Sequence, residues 1–424
     1  MTTPGPTPAL ARRLTTPDAV VIGVGSMVGA GLFSAFAPAA RAAGEWLLPA
    51  LGLAAVVALC NATSSAQLAA QYPTSGGTYV YGRKRLGEWW GFIAGWGFII
   101  GKTASCAAMA LVLAAYVAPP AWQKPVGVTA VAALAAVNYR GITRTARLTR
   151  VIVTAVLAAL AVVLVTVAAF APRATDDVLG AATSIGPGEV LQGAAILFFA
   201  FAGYARIATL GEEVVDPSRT IPRAILAAFA VVVPVYAVTA VVLVRALGTA
   251  GLAGSHAPLL DAVRTTSSGS WLAALVVAAA AAATLGALLA LIAGVGRTVL
   301  AMAREGDLPR RLGAVHPRYA VPHVAEVTVA VIVCVLVALT DLRGVIGFSS
   351  FGVLTYYAVA NASALTQGPP HRRYPRLVAV VGLVGCLTLA LAVPTGSLVA
   401  GVLVLVVGVV GRRVVTRARS SGPA

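Results

Sequence analysis

Apolar residues in this chain come in long unbroken runs, without the two-residue alternation of a half-buried strand. A helix needs about 20 apolar residues to cross about 30 Å of hydrocarbon. Twelve runs approach or exceed that length, at residues 18–40, 46–70, 89–118, 125–139, 148–171, 190–211, 222–247, 271–300, 322–340, 344–366, 377–394 and 396–411. The fourth and the last two are the weakest, being short or parted by little more than Pro394 to Ser397. Segments of roughly ten alternating residues, the mark of a membrane barrel, are missing, so helices are predicted.

Composition narrows the class. The chain of 424 residues is 59% hydrophobic and 11% charged, with a mean hydropathy of +0.90. Soluble domains carry about 45–50% apolar and about 25% charged residues. Soluble, disordered and disulfide-rich classes are excluded. The formal charge of +17 would suit a nucleic-acid partner only if the basic residues covered a folded soluble surface. They do not. If the N-terminus is cytoplasmic, the inside segments collect 23 of the 31 basic residues, among them Arg12, Arg13, Arg83, Lys84, Arg85, Arg144, Arg150, Arg297 and Arg412, and the outside segments 6. This asymmetry predicts both termini in the cytoplasm and an even number of spans.

Two cations escape that sorting, Lys102 within the third span and Arg206 within the sixth. Charge inside a membrane is costly and marks a functional position by default. Cys60, Cys106, Cys334 and Cys386 lie far apart in apolar runs, and the four histidines fall in connecting segments. No metal, cofactor or catalytic residue is expected, and no cleavable signal is expected in the polar, Pro-rich start from Pro4 to Pro17.

The first span holds Gly23, Gly25, Gly29 and Gly31 within nine residues, each weakening a helix by about 1 kcal/mol relative to Ala. Close helix packing is one reading. A dinucleotide-binding turn fits poorly, since the order is GxGxxxG and no strand precedes it. The third reading is an unwound stretch at mid-membrane. The sixth span offers a counterpart in Phe198-Phe-Ala-Phe-Ala-Gly203, and interrupted helices in corresponding halves point to a transporter of inverted repeats. Freed amides attract a carboxylate and freed carbonyls an ammonium group, so such a site suits a zwitterion.

These segments resemble the amino acid–polyamine–organocation transporter superfamily. The resemblance rests on Gly29-Ala-Gly-Leu-Phe33, on Tyr72-Pro-Thr-Ser-Gly-Gly-Thr-Tyr-Val-Tyr81 with Gly91-Phe-Ile-Ala-Gly-Trp96, and on Phe198 to Gly203 followed by Glu212-Glu-Val-Val-Asp-Pro217. Arg297 to Arg304 with Gly306-Asp-Leu-Pro309 extends it, so that it covers most of residues 18–367. It implies an all-α integral membrane protein of twelve transmembrane helices. These would form one transport domain over residues 1–424: a LeuT-like 5+5 inverted repeat at about 18–171 and about 190–366, plus two C-terminal helices at about 377–411. It implies that the amides of Gly29, Ala30 and Gly31 hold a substrate carboxylate, and that the carbonyls of Met27 and Ala202 receive the amino group. Phe199 resembles the aromatic gate, and Gly203 marks the sixth-span break. Ordinary helix packing is the alternative for Met27, Phe199 and Ala202.

The chain departs from cationic-amino-acid-type relatives, whose fifth span carries a lysine, since residues 151–171 contain none. Lys102 is read as a coupling residue replacing it, as a structural cation donating to backbone carbonyls, or as a snorkelling side chain. Arg206 is read as half of an ion pair with Glu212 or Glu213, or as a group facing the substrate. Tyr72 to Trp90 is expected to be an amphipathic connection that anchors and orients the chain. The loop Gly248 to Ser270 is expected outside, as a lid or a plain connector. The expected function is secondary active transport of an amino acid across the plasma (inner) membrane by alternating access. Proton coupling is preferred to sodium coupling or exchange, and a non-transporting solute receptor is the remoter alternative.

Overall fold

The computed structural model describes residues 14–74, 76–141, 146–174, 185–267 and 269–420. Pro4, Arg12, Arg13, Ser75, Arg144, Ser268 and the side chains of Ala30, Arg417 and Arg419 lie outside the described residues. This part is built from helices joined by turns and loops. The first run is divided into α1 (Thr16–Met27), α2 (Ala30–Ser34) and α3 (Phe36–Ala43), followed by α4 (Leu47–Gln71) and the short α5 (Gly77–Leu86). Next come α6 (Glu88–Val117), α7 (Gln123–Tyr139), α8 (Ala146–Phe170), α9 (Pro187–Phe201), the single-turn α10 (Ala205–Ala208) and α11 (Pro217–Gly254). The remainder comprises α12 (Pro258–Arg264), α13 (Gly269–Arg304), α14 (His323–Leu339), α15 (Leu342–Leu365), α16 (Arg376–Ala392) and α17 (Thr395–Ser420).

Among the described residues, nine helical stretches are long and apolar enough to cross a membrane. The apolar helices α14 and α16 are shorter, at 17 residues each, as is α7. The predicted runs therefore recur as helices, and nine of the stretches have full spanning length.

Local chemistry sets the ends that matter for the site. Thr15 precedes α1, and both its backbone N and its Oγ1 donate to Asp18 Oδ2, at 3.0 and 2.6 Å, a capping arrangement. Asp18 also pairs with Arg150 of α8. Gly87 turns the chain from α5 into α6 at φ 104, a conformation side-chain-bearing residues rarely adopt. The loop expected over Gly248 to Ser270 is largely helical. Gly248, at φ 69, kinks α11, and α12 packs against α2, α8, α11 and α13.

Two groups of helices meet around the interior. On one side α1, α3, α4, α9 and α11 pack together; on the other, α6, α7, α13 and α14 do so. α15 joins them, packing on α6, α4 and α16. One face of the bundle carries Leu14, α5 and the end of α17. Leu14 N donates to Glu213 O at 3.0 Å and Val215 N to Leu14 O at 2.9 Å, tying the start of the described chain to the segment after α10. This face, rich in arginine, is called the basic face below. At the opposite face, three basic side chains bind neutral oxygens: Arg41 Nη2 donates to Ala253 O at 2.7 Å, Lys124 Nζ to Ala338 O at 2.7 Å, and Arg343 Nη2 to Gln192 Oε1 at 3.0 Å, while Arg264 pairs with Asp261.

Candidate substrate site

The first-span glycines produce a true interruption. Helix α1 ends at Met27, and Gly29 takes ψ −133 before α2 begins. The sixth span behaves differently. Instead of unwinding, it tightens: α9 passes into a 3₁₀ turn at Ala202–Tyr204 and then into α10. A single glycine among aromatics permits the tighter turn without removing the helical path.

The two interruptions touch backbone to backbone. A Cβ on Gly203 would lie 2.3 Å from Ser26 O and 2.6 Å from Met27 N, and a Cβ on Gly31 would lie 2.4 Å from Ala200 Cα. A Cβ on Gly29 would press only on the Ala287 methyl of α13, at 3.0 Å, with Gly25 O and Ser26 O at ordinary contact distance. Glycine is thus required at residues 31 and 203 for approach, and at Gly29 the helix itself breaks.

A cavity of about 600 Å³ lies between these breaks and helices α6 and α13. Met27, Gly31, Phe199, Gly203, Lys102 and Arg206 line it, together with Ser26, Tyr79, Glu213 and Arg297. It leads toward the basic face. A second hollow of about 270 Å³ beside α8 shares Ser26, Arg206, Glu213 and Arg297. Gly29 and Ala202 stand behind the lining. A larger groove of about 1650 Å³ along α6, α14, α15 and α17 contains none of the predicted site residues, and its flank is apolar and exposed, as at Leu339. The smaller cavity is the candidate site because the broken helices and buried cation meet there.

Both carbonyls singled out in the sequence have donors of their own. Lys102 is 6% exposed, and its Nζ donates to Ala202 O at 2.9 Å. Tyr357 OH reaches the same oxygen at 3.4 Å. Tyr236 OH lies 2.5 Å from Met27 O and 3.0 Å from Ala200 O, so one hydroxyl straddles the two interrupted helices. Above the breaks, toward the opposite face, Tyr116 OH donates to Phe33 O at 2.9 Å, and the two rings meet edge to face. Arg206 Nη1 donates to Thr209 Oγ1 at 3.3 Å, and Nη2 lies 3.9 Å from Glu213 Oε1. The predicted acidic neighbour is present, on a residue that lines the same cavity.

A charged network closes the basic face beside the cavity. Asp307 Oδ1 accepts from Arg412 Nε at 2.7 Å, while Oδ2 accepts from Tyr79 OH at 2.8 Å and Arg83 Nη1 at 3.0 Å. The Arg412 guanidinium also covers the Trp89 ring at 4.3 Å, a cation–π contact. Burial, reinforced by the bond to Asp307, pushes the Tyr79 phenol well above its ordinary range, so it remains a donor. The segment from Tyr72 to Trp90, expected only to anchor and orient the chain, thus places Tyr79 on the cavity and Arg83 on its support.

Sequence reading missed Tyr236 and Tyr357, which resemble ordinary core aromatics, and assigned Arg297 to charge topology. A hydroxyl at mid-span in an otherwise apolar run was the available signal for Tyr236, without its acceptors.

A profile of the amino acid permease family matches residues 14–415. An uncharacterized transporter of Mycobacterium tuberculosis is 57% identical over 96% of this chain and 93% of its own length. The branched-chain amino acid permease of Bacillus subtilis is 25% identical over 87% of this chain and 83% of its own. Human cationic amino acid transporter 4 is 28% identical over 84% of this chain and 60% of its own. The family and these named transporters point to a membrane protein that moves solute rather than an enzyme. With the match spanning nearly the whole chain and the interrupted helices meeting at a cavity, the chain belongs to the amino acid permease family of the amino acid–polyamine–organocation superfamily.

Proposed function

We propose that the chain is a secondary active transporter that carries an amino acid across the plasma membrane by alternating access, coupled to protons. Twelve helices cross the bilayer in a 5+5 inverted repeat plus two, with both termini and the basic face in the cytoplasm. The helices of spans 1, 2, 6 and 7 rock against those of spans 3, 4, 8 and 9. The observation that carries this reading is the single cavity onto which both interrupted helices and a buried lysine converge. Its opening toward the basic face and the Tyr116–Phe33 contact on the far side support an inward-open arrangement.

Within that reading the amides at Gly29, Ala30 and Gly31 hold the substrate carboxylate, and the region of Met27, Ala202 and Gly203 receives the amino group beneath Phe199. Lys102 already occupies the Ala202 carbonyl. A substrate ammonium group and the Lys102 ammonium group therefore compete for one acceptor, which links substrate binding to protonation of the lysine. The relatives' names support an amino acid as cargo while differing over its side chain.

The test is uptake by proteoliposomes under an imposed pH gradient, with substrate identified beforehand by thermal shift against the twenty amino acids. Lys102→Met is expected to lower uptake at least tenfold and to flatten its pH dependence. Unchanged uptake and pH profile would assign Lys102 to structure alone. Saturable binding without accumulation in vesicles would replace the transporter by a receptor.

A further inference from the structure

The side chains lining the cavity are not neutral. Lys102, Arg206 and Arg297 face it with Glu213 as the acidic group among them, and neither Asp nor any other Glu is in the described lining. Arginine keeps its charge under all physiological conditions. The two arginines and Glu213 alone therefore leave one positive charge in excess, and a charged Lys102 raises that to two. Glu326 is close to Arg297 but outside the lining. It is buried on α14 behind Gly296, where a Cβ would lie 2.7 Å from Glu326 Cγ. Asp307 is already shared among Tyr79, Arg83 and Arg412.

The position of the charges matters as much as their number. Arg206 sits one turn beyond Ala202 on the same interrupted span, and Arg297 projects from α13 across the cavity. Cargo passing between the breaks and the basic face must pass both guanidinium groups. Glu213 is 3.9 Å from Arg206, too far for a tight bidentate pair, and Arg297 has no ion pair within 4.0 Å among the described residues. A cleft with one dominant sign of charge between low-dielectric walls concentrates ions of the opposite sign and repels those of its own.

Building on the transport reading, we infer that this cavity sorts amino acids by side-chain charge: anionic side chains are preferred, neutral ones follow, and cationic ones are excluded. The preferred cargo class is a dicarboxylic amino acid, whose second carboxylate meets Arg206 and Arg297 while its α-groups meet the helix breaks.

The full-length chain in liposomes gives the test, with L-aspartate, L-leucine and L-arginine uptake measured side by side. Aspartate is expected to half-saturate at a concentration at least tenfold below that of leucine, with arginine neither transported nor competing. The Arg206→Gln, Arg297→Gln double variant should lose most of the aspartate-over-leucine ratio, read as the ratio of half-saturating concentrations so that a change in the overall rate does not enter. The corresponding double lysine variant, which keeps both charges, should retain it. Leucine favoured over aspartate, arginine accepted as well as leucine, or a ratio unmoved by the glutamine pair overturns the inference. The wild-type ranking decides alone if the glutamine pair does not fold. A folded, monodisperse chain that accumulates no amino acid removes the transport reading on which the inference rests.

Discussion

The two interrupted spans reach the same cavity by different physical means. In the first, Gly29 abandons helical geometry, so backbone groups are released and α2 starts afresh. In the sixth, the path stays helical, and Ala202–Tyr204 only tighten to 3₁₀. Gly203 is needed because the first span lies against it, with Ser26 O at 2.3 Å from the place of a Cβ. One glycine breaks a helix; the other admits a neighbour. The lesson is that a mid-span glycine does not by itself signal unwinding, and the contact it makes decides which role it has.

Gly203→Ala should cause the largest loss. Its new methyl would strike the fixed backbone of Ser26 and Met27, and overpacking of this kind costs about 1–3 kcal/mol or more. Uptake is expected to fall at least 100-fold with a lowered melting temperature, measured in vesicles and in detergent. Gly29→Ala should be milder, since the one tight contact of its methyl is the Ala287 side chain at 3.0 Å, with the nearest backbone at 3.8 Å. A loss of less than about tenfold in uptake is expected, because a methyl–methyl contact relaxes more easily than two backbones. If the two variants lose activity equally, the contrast between break and contact fails. Tyr236→Phe should have the smallest effect. It removes one hydroxyl shared by Met27 O and Ala200 O, a net contribution of about 1 kcal/mol. A few-fold rise in KM with little change in melting temperature is expected, and no change would show that the bridge is dispensable.

Much of this arrangement could be read from the chain. Apolar length located the helices because each crossing must satisfy its own backbone. Lys102 and Arg206 stood out because charge is expensive at their depth, and both line the cavity. Depth, however, is all that a linear pattern reports. Arg297 sits near the end of a long helix, and whether it faced lipid headgroups or the cavity depended on the rotation of α13. Tyr236 was hidden for the same reason, since a phenol in an apolar run looks like packing until its acceptors are known. The expected unwinding in the sixth span did not occur because its lone glycine was taken up by contact. Asp307 looked like part of a loop motif, and its burial depends on Arg412, which is 105 residues away along the chain.

The glycine contacts also set an expectation for which parts move together. Where Gly31 meets Ala200 and Gly203 meets Ser26, no side-chain layer separates the first and sixth spans, whereas at Gly23 the Ile207 side chain stands between them. Such a joint has no lubricant, and under the proposed transport cycle the pair is expected to behave mechanically as one rod. Sliding is then expected at the opposite wall of the cavity, which Ser105, Ala287 and Ala290 line with small side chains. In the proposed rocking motion the two broken helices are therefore expected to travel as a single part against α6 and α13.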